Sequence, residues 1–298
     1  MNPRTKSMWL LLLTGLLWSV GGVFIKTNDA NAFVISSIRG GVAAIVFFVA
    51  LRGRPKMTWS RPQVLGALAY SGVLTCFVLS TTMTSAANAI LLEYTAPIFV
   101  AILGWLILRE RLRVYDIFAI VGVAIGMYLL MSSNLSGGHL TGNMVGVATG
   151  VCYAIFVICL RLQKEVSPYE TVLLGNIFTF LIGLPFFFIA PPAPGSIPPV
   201  IFLGVFQIAI PYLLLTYSSK NAKAIDITLL TILEPLLNPV WVFLVTGENP
   251  GVRTFIGGTV LLVVVILKSL VTLKQPTEQE GALPTEPPPT EPPPTGTE

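Results

Sequence analysis

Three ionisable side chains lie inside long apolar runs: Arg39 in AFVISSIRGGVAAIVFF, Glu93 in NAILLEYTAPIFV and Glu234 in LLTILEPLLNP. A charge in hydrocarbon costs several kcal/mol unless it is paired or wetted, so each is a candidate for binding or moving a polar solute. Arg39 falls six residues into its run and Glu93 seven into its own, depths of about 9 and 10 Å at roughly 1.5 Å per helical residue. Equal depth and opposite charge leave two readings open: a neutralised ion pair joining two helices, or an outer-half group that binds substrate or gates. Glu234 lies about 12 Å from the inner end of its run with no basic residue at that depth, which leaves protonation as the way to neutralise it.

Other side chains share faces with these. Thr231, Glu234, Asn238 and Trp241 recur at helical spacing and form one polar-aromatic stripe. Such a stripe is costly against lipid, so it faces a central cavity or bonds a neighbouring helix. Trp18 and Tyr153 sit near the middle of their runs, away from the interfaces where aromatic belts collect. With Tyr94, Tyr212 and Trp241 they can offer apolar or cation–π contacts to an amphipathic ligand, or simply pack. Pro97, Pro235 and Pro239 lie inside apolar runs and each removes a backbone donor, so they are candidate hinges or static kinks. Asn88, Asn176, Gln207 and Thr75 are weaker site candidates, more often links between helices.

The elements that must position these residues are spans of a membrane. Over 298 residues, 54% are hydrophobic and 11% charged, far from the roughly 25% charged content of soluble domains. Ten apolar runs can be marked: 8–26, 33–51, 64–82, 86–108, 114–131, 143–161, 169–190, 198–217, 225–246 and 252–273. Their length suits a hydrocarbon layer about 30 Å thick, and one soluble core cannot hold so many. The first run resembles a signal peptide but is too long and has no small-x-small cleavage site, so it reads as a transmembrane helix. Cys76, Cys152 and Cys159 lie within apolar runs without a CxxC pair and read as packing residues.

Ten crossings put both termini on one side. Of the 18 basic residues, 15 fall in alternate connections, including Arg52, Arg54 and Lys56 and the Arg109, Arg111 and Arg113 cluster. The positive-inside rule then places both termini in the cytoplasm, in a bacterial inner membrane. The net charge of +4 is a topology signal and not a footprint for nucleic acid. Beyond Lys274 the chain turns to Pro-Thr-Glu repeats, so 274–298 reads as a disordered cytoplasmic tail.

The two halves match. A shift of 135 sets Gly15, Trp18 and Lys26 on Gly150, Tyr153 and Arg161; a shift of 138 sets Pro97 on Pro235 and Glu110 on Glu248. Five spans per copy is odd, so the second copy enters the membrane upside down. The fold expected is all-α integral membrane, ten transmembrane helices as two inverted five-helix repeats: 1–131, an external linker at 132–142, and 143–273. Inverted repeats of this kind place a site near the midplane where they meet.

These residues, with Glu93, Pro97 and Glu110 in one half and Glu234, Pro235, Gly247 and Glu248 in the other, resemble the drug/metabolite transporter superfamily in its ten-helix EamA-type branch. The carboxylate stands four residues before the proline in the first copy and directly before it in the second. The resemblance implies a secondary transporter of amino acids, related metabolites or toxic small molecules, commonly an exporter, with the lipid bilayer and a small-molecule substrate as partners. Protons are the candidate coupling ion.

The rival classes are a membrane-embedded enzyme and a channel using the same polar cavity. An enzyme needs clustered nucleophiles, acids or ligands, and the single histidine, His139, sits in a Gly-rich loop. No H-E-x-x-H or Walker loop occurs, so no metal, cofactor or ATP site is expected. No re-entrant segment suggests an ion filter.

Overall fold

The computed structural model describes residues 2–84, 86–109, 112–131, 140–163, 168–231, 233–246 and, within 252–273, residues 256, 259, 260, 263, 264, 266, 267, 270 and 271. The linker up to residue 139, His139, Glu110, Gly247, Glu248, most of the tenth apolar run and the 274–298 tail lie outside the described residues, as does the side chain of Asn88. Among the described residues every regular element is helical: α1 Pro3–Trp18, α2 Gly21–Lys26, α3 Ala32–Ala50, α4 Arg61–Met83, α5 Ala86–Glu93, α6 Ala96–Leu103 and α7 Val114–Met131 in the first half. The second half gives α8 Leu140–Leu162, α9 Pro168–Gly183, α10 Phe186–Ile189, α11 Ile197–Leu203, α12 Ile210–Ser219, α13 Ala224–Leu230 and α14 Leu233–Thr246. Two π-helical turns, Gly104–Leu108 and Gly204–Ala209, follow α6 and α11.

Six segments are long and apolar enough to cross a membrane: Pro3–Lys26, Ala32–Ala50, Arg61–Met83, Thr141–Leu162, Pro168–Ile189 and Pro194–Ser219. They coincide with six of the ten predicted spans. Two predicted spans are instead broken in the middle: 86–108 parts at Tyr94–Thr95 between α5 and α6, and 225–246 parts at Thr231 between α13 and α14.

The breaks have a covalent cause. Pro97, in the first turn of α6, has no N–H to return to the carbonyl of Glu93, and Pro235, in the first turn of α14, has none for Thr231. Pro211, in the first turn of α12, leaves the carbonyl of Gln207 in the same position, and there the chain winds into a π-helical turn instead. Pro239 lies within α14, its side chain outside the described ones.

Burial is inverted relative to a water-soluble domain. Phe118, Phe188, Val49 and Ile45 are exposed, while Ser7, Thr14, Ser37, Arg39, Asn176, Gln207 and Glu234 are buried. Helices that present apolar surface outward and polar side chains inward suit lipid, where interhelical hydrogen bonds and small residues do the joining. Packing runs between the halves of the chain. The heaviest contacts join α4 to α8 and α3 to α9, followed by α4 to α9 and α1 to α12. Exchanging the first half for the second turns the α4–α8 pairing into the α12–α1 pairing and leaves α3–α9 unchanged. The broken helices also meet, α13 against α6.

Candidate functional site

At each of the two proline-freed carbonyls the halves approach closely. A Cβ on Gly15, in α1, would lie 2.6 Å from the carbonyl oxygen of Thr231. A Cβ on Gly150, in α8, would lie 3.0 Å from that of Glu93 and 2.7 Å from the hydroxyl of Thr95. Gly15 and Gly150 are the pair matched by the 135-residue shift, so each half presents a bare glycine to the break in the other. Only a residue without a side chain lets a helix back onto a carbonyl at that distance.

The gap around Thr231 is filled from the opposite half. The Tyr94 hydroxyl donates to Thr231 O at 2.9 Å and lies 3.2 Å from Glu234 Oε2. Thr231 O also accepts from the Glu234 N–H at 3.2 Å. A phenol has one proton, so Thr231 O and an ionised Glu234 compete for it. When Glu234 is protonated, its carboxyl can donate to Tyr94 Oη while Tyr94 donates to Thr231 O, and all three groups are satisfied.

Two small cavities lie on either side of the carboxylates. One, about 20 Å³, is lined by Arg39, Gln207, Trp18 and Tyr212, with Val73, Leu74, Phe77 and Ile208 as its apolar wall. The other, about 10 Å³, is lined by Tyr94, Ala96, Pro97, Tyr153, Thr228 and Thr231. Trp18, Glu93 and Glu234 line both. These volumes admit single waters, whereas sites for small metabolites run to about 300 Å³ and above. The helices are thus closed around the polar centre, and a solute enters only if they part.

Burial makes the centre electrostatically demanding. Arg39 is 2% exposed, and its Nε and Nη1 find no hydrogen-bond partner among the described residues. No described carboxylate pairs with it: Glu234 faces Tyr94, and Glu93 shares the cavity without bonding the guanidinium. Of the two readings open for Arg39 and Glu93, the ion pair is not formed in this arrangement, although the two do meet at one cavity. The rings close the centre from the side: Trp18 stands edge-on to Tyr153 at 6.1 Å and tilts against Tyr212 at 5.0 Å, and Tyr212 meets Tyr70 at 4.5 Å.

Seven of the nine predicted contact residues thus converge: Trp18, Arg39, Glu93, Tyr94, Tyr153, Tyr212 and Glu234. Asn238 and Trp241 do not line either cavity. Asn238 Nδ2 donates to Ser19 O at 3.1 Å and Trp241 Nε1 to Ser19 Oγ at 2.7 Å, so this end of the stripe ties α14 to the turn between α1 and α2. Gln207, read in the sequence as a weak candidate, lines the larger cavity with its Oε1 unpaired, and its amide packs directly on Gly21. Its signal was Pro211 four residues on. Ser19 was not singled out at all; its position between Trp18 and the Gly21-Gly22 pair was the available hint. Asn176 turns back on its own helix, Nδ2 to Val172 O at 3.0 Å.

A pair of breaks facing each other across a charged centre, in a twofold arrangement of helices, accords with how the chain compares with known proteins. It matches the EamA-like transporter family twice, over residues 5–132 and again over 140–270. The chain belongs to the EamA-like transporter family. This EamA-like chain is 27% identical to an uncharacterized transporter of Archaeoglobus fulgidus, over 86% of this chain and 94% of that one. It is 28% identical to human solute carrier family 35 member G1, over 54% of this chain and 49% of that protein. A solved crystal structure 17% identical in sequence superposes with a TM-score of 0.76 over 91% of the EamA-like chain and the whole of the other, a likeness of fold. Membership in this family of the drug/metabolite transporter superfamily, together with six apolar spans, makes the chain a multi-pass integral membrane protein.

Proposed function

We propose that the chain is a secondary transporter that exports amino acids or related amphipathic compounds by alternating access around the centre bounded by Arg39, Glu93 and Glu234. The observation that carries this reading is a small charged cavity to which two proline-broken helices of opposite halves each bring a glutamate. A site too small for its solute, flanked by paired flex points, has to open to work, and Pro97, Pro235 and Pro239 supply the joints. Trp18, Tyr94, Tyr153 and Tyr212 give the aromatic lining, and Asn238 and Trp241 hold α14 against Ser19 as the helix moves.

The architecture proposed is ten spans in two inverted repeats, 1–131 and 143–273, with both termini in the cytoplasm of a bacterial inner membrane. The double family match, the interchange of α4–α8 with α12–α1 contacts and the paired Gly15 and Gly150 approaches support it. Glu234, answered by Tyr94, is the group proposed to carry a coupling proton: its protonation settles which way the Tyr94 hydroxyl bond runs across the two halves.

Transport in proteoliposomes tests the reading. With an imposed proton gradient, the parent is expected to move amino acids faster than without one, and Glu234→Gln to lose that acceleration. A Glu234→Gln protein that still answers the gradient as the parent does would sink the coupling assignment, and a parent that moves none of the twenty amino acids would sink the substrate class.

A further inference from the structure

Beyond the transport reading, on which it rests, the centre has a direction. We propose that its Arg39 side is a carboxylate subsite holding the acid end of a zwitterionic amino acid, whose amine is turned toward Glu93 and Glu234.

Arg39 is almost wholly buried, lines the larger cavity, and leaves Nε and Nη1 without an acceptor among the described residues. A buried guanidinium normally has its donors answered, because an unanswered one costs the full price of its lost hydration. Either edge of the group, Nε with Nη2 or Nη1 with Nη2, presents two N–H bonds that fit the two oxygens of a carboxylate. Glu93 and Glu234 stand at the same cavity yet do not answer it, so the acceptor it awaits is not one of theirs.

The charges around the cavity then narrow the ligand. One arginine and two glutamates line it. A phosphate dianion would add two negative charges beside two carboxylates. A bare carboxylic acid would satisfy Arg39 and leave both glutamates facing its hydrocarbon. A plain amine would do the reverse. An amino acid answers both poles at once, with Val73, Leu74, Phe77 and Ile208 and the rings of Trp18 and Tyr212 left for an apolar side chain. Gln207, with its unpaired Oε1 on the Arg39 side, can bond either pole once its amide is turned, and so adds no preference of its own.

The test compares a substrate with its two halves on the full-length protein. Counterflow in proteoliposomes ranks the twenty amino acids, and the best is compared with the amine lacking its carboxylate and the acid lacking its amine. For leucine these are isoamylamine and 4-methylpentanoate. Binding to the purified parent is read independently by ligand-induced thermal shift. The amino acid is expected to bind at least about tenfold more tightly than either half, the scale of one lost charge-assisted contact. Arg39→Gln is expected to remove the advantage of the amino acid over the amine, with Arg39→Lys recovering part of the loss. An amine that binds the parent as well as its amino acid overturns the subsite, as does an Arg39→Gln protein that discriminates as the parent does. Should Arg39→Gln not fold, the parent's own ranking of the three ligands decides. A parent that moves no amino acid removes the transport reading and this proposal together, whereas amino acid transport indifferent to the carboxylate removes this proposal alone.

Discussion

The break before Pro97 and the break before Pro235 share a cause and differ in what occupies them. In both, a proline leaves the carbonyl four residues back without its helical donor, and in both a glycine of the opposite half packs on that carbonyl. At Thr231 the carbonyl takes bonds from Tyr94 and Glu234. At Glu93 the carboxylate itself sits on the residue whose carbonyl was freed, and it bonds nothing among the described residues. The shift that aligns the prolines puts Ile232 where the first half has Tyr94, so the first half can reach across and the second cannot reply in kind. A shared backbone defect has been given one chemistry on one side and another on the other.

The largest effect that separates the two breaks is on coupling. Glu234→Gln is expected to slow gradient-driven transport by about a hundredfold while Glu93→Gln slows it by about tenfold, since only Glu234 has a partner whose bonding depends on its proton. Equal losses in flux assays on the two variants would erase the distinction. Next comes packing: Gly15→Ala should destabilise the purified protein by about 1–3 kcal/mol, the scale of an overpacked core, because its new methyl meets backbone at 2.6 Å. Gly150→Ala should cost less, its nearest backbone atom, the Glu93 carbonyl oxygen, lying at 3.0 Å where Gly15 meets backbone at 2.6 Å. Thermal unfolding in detergent compares the two, and a Gly150→Ala protein that is the less stable would reverse the order.

Tyr94→Phe is expected to cost about 1 kcal/mol of stability by leaving Thr231 O one bond poorer, and to flatten the pH dependence of transport. Ser19→Ala is the smallest. It removes the Trp241 bond and the local Ser19 Oγ bond to Leu16 O while Asn238 still holds the Ser19 backbone, and should cost about 0.5–1.5 kcal/mol with transport unchanged. A Ser19→Ala protein that folds normally but no longer transports would place this contact in the machinery and not beside it.

Much of the site was legible because lipid leaves few ways to tolerate a charge. Arg39, Glu93 and Glu234 stood out against apolar runs, and all three reached one centre. Periodicity alone could not say whether the Thr231–Trp241 stripe faces one neighbour throughout. Glu234, in the first turn of α14, reaches the cavity, while Asn238 and Trp241, about one and two turns farther along the same helix, reach Ser19. Pro97 and Pro235 announced the kinks, yet the consequence lay on the other half, where Gly15 and Gly150 looked like ordinary packing glycines until their neighbours were known. The absent Arg39–Glu93 bond was beyond reach for a similar reason: equal depth fixes height in the membrane and says nothing of the angle around each helix.

The Gly15 and Gly150 contacts also bear on ancestry. Each half carries the glycine that its sister's proline requires, so, on the inverted-repeat architecture proposed above, a single ancestral unit bearing both residues meets the demand as soon as two copies pair antiparallel. Duplicating the gene then changes no contact. It only frees the copies to diverge, and a mutation at the glycine of one is answerable by a mutation near the proline of the other. Such positions should drift together across related chains, as compensating pairs far apart in one polypeptide.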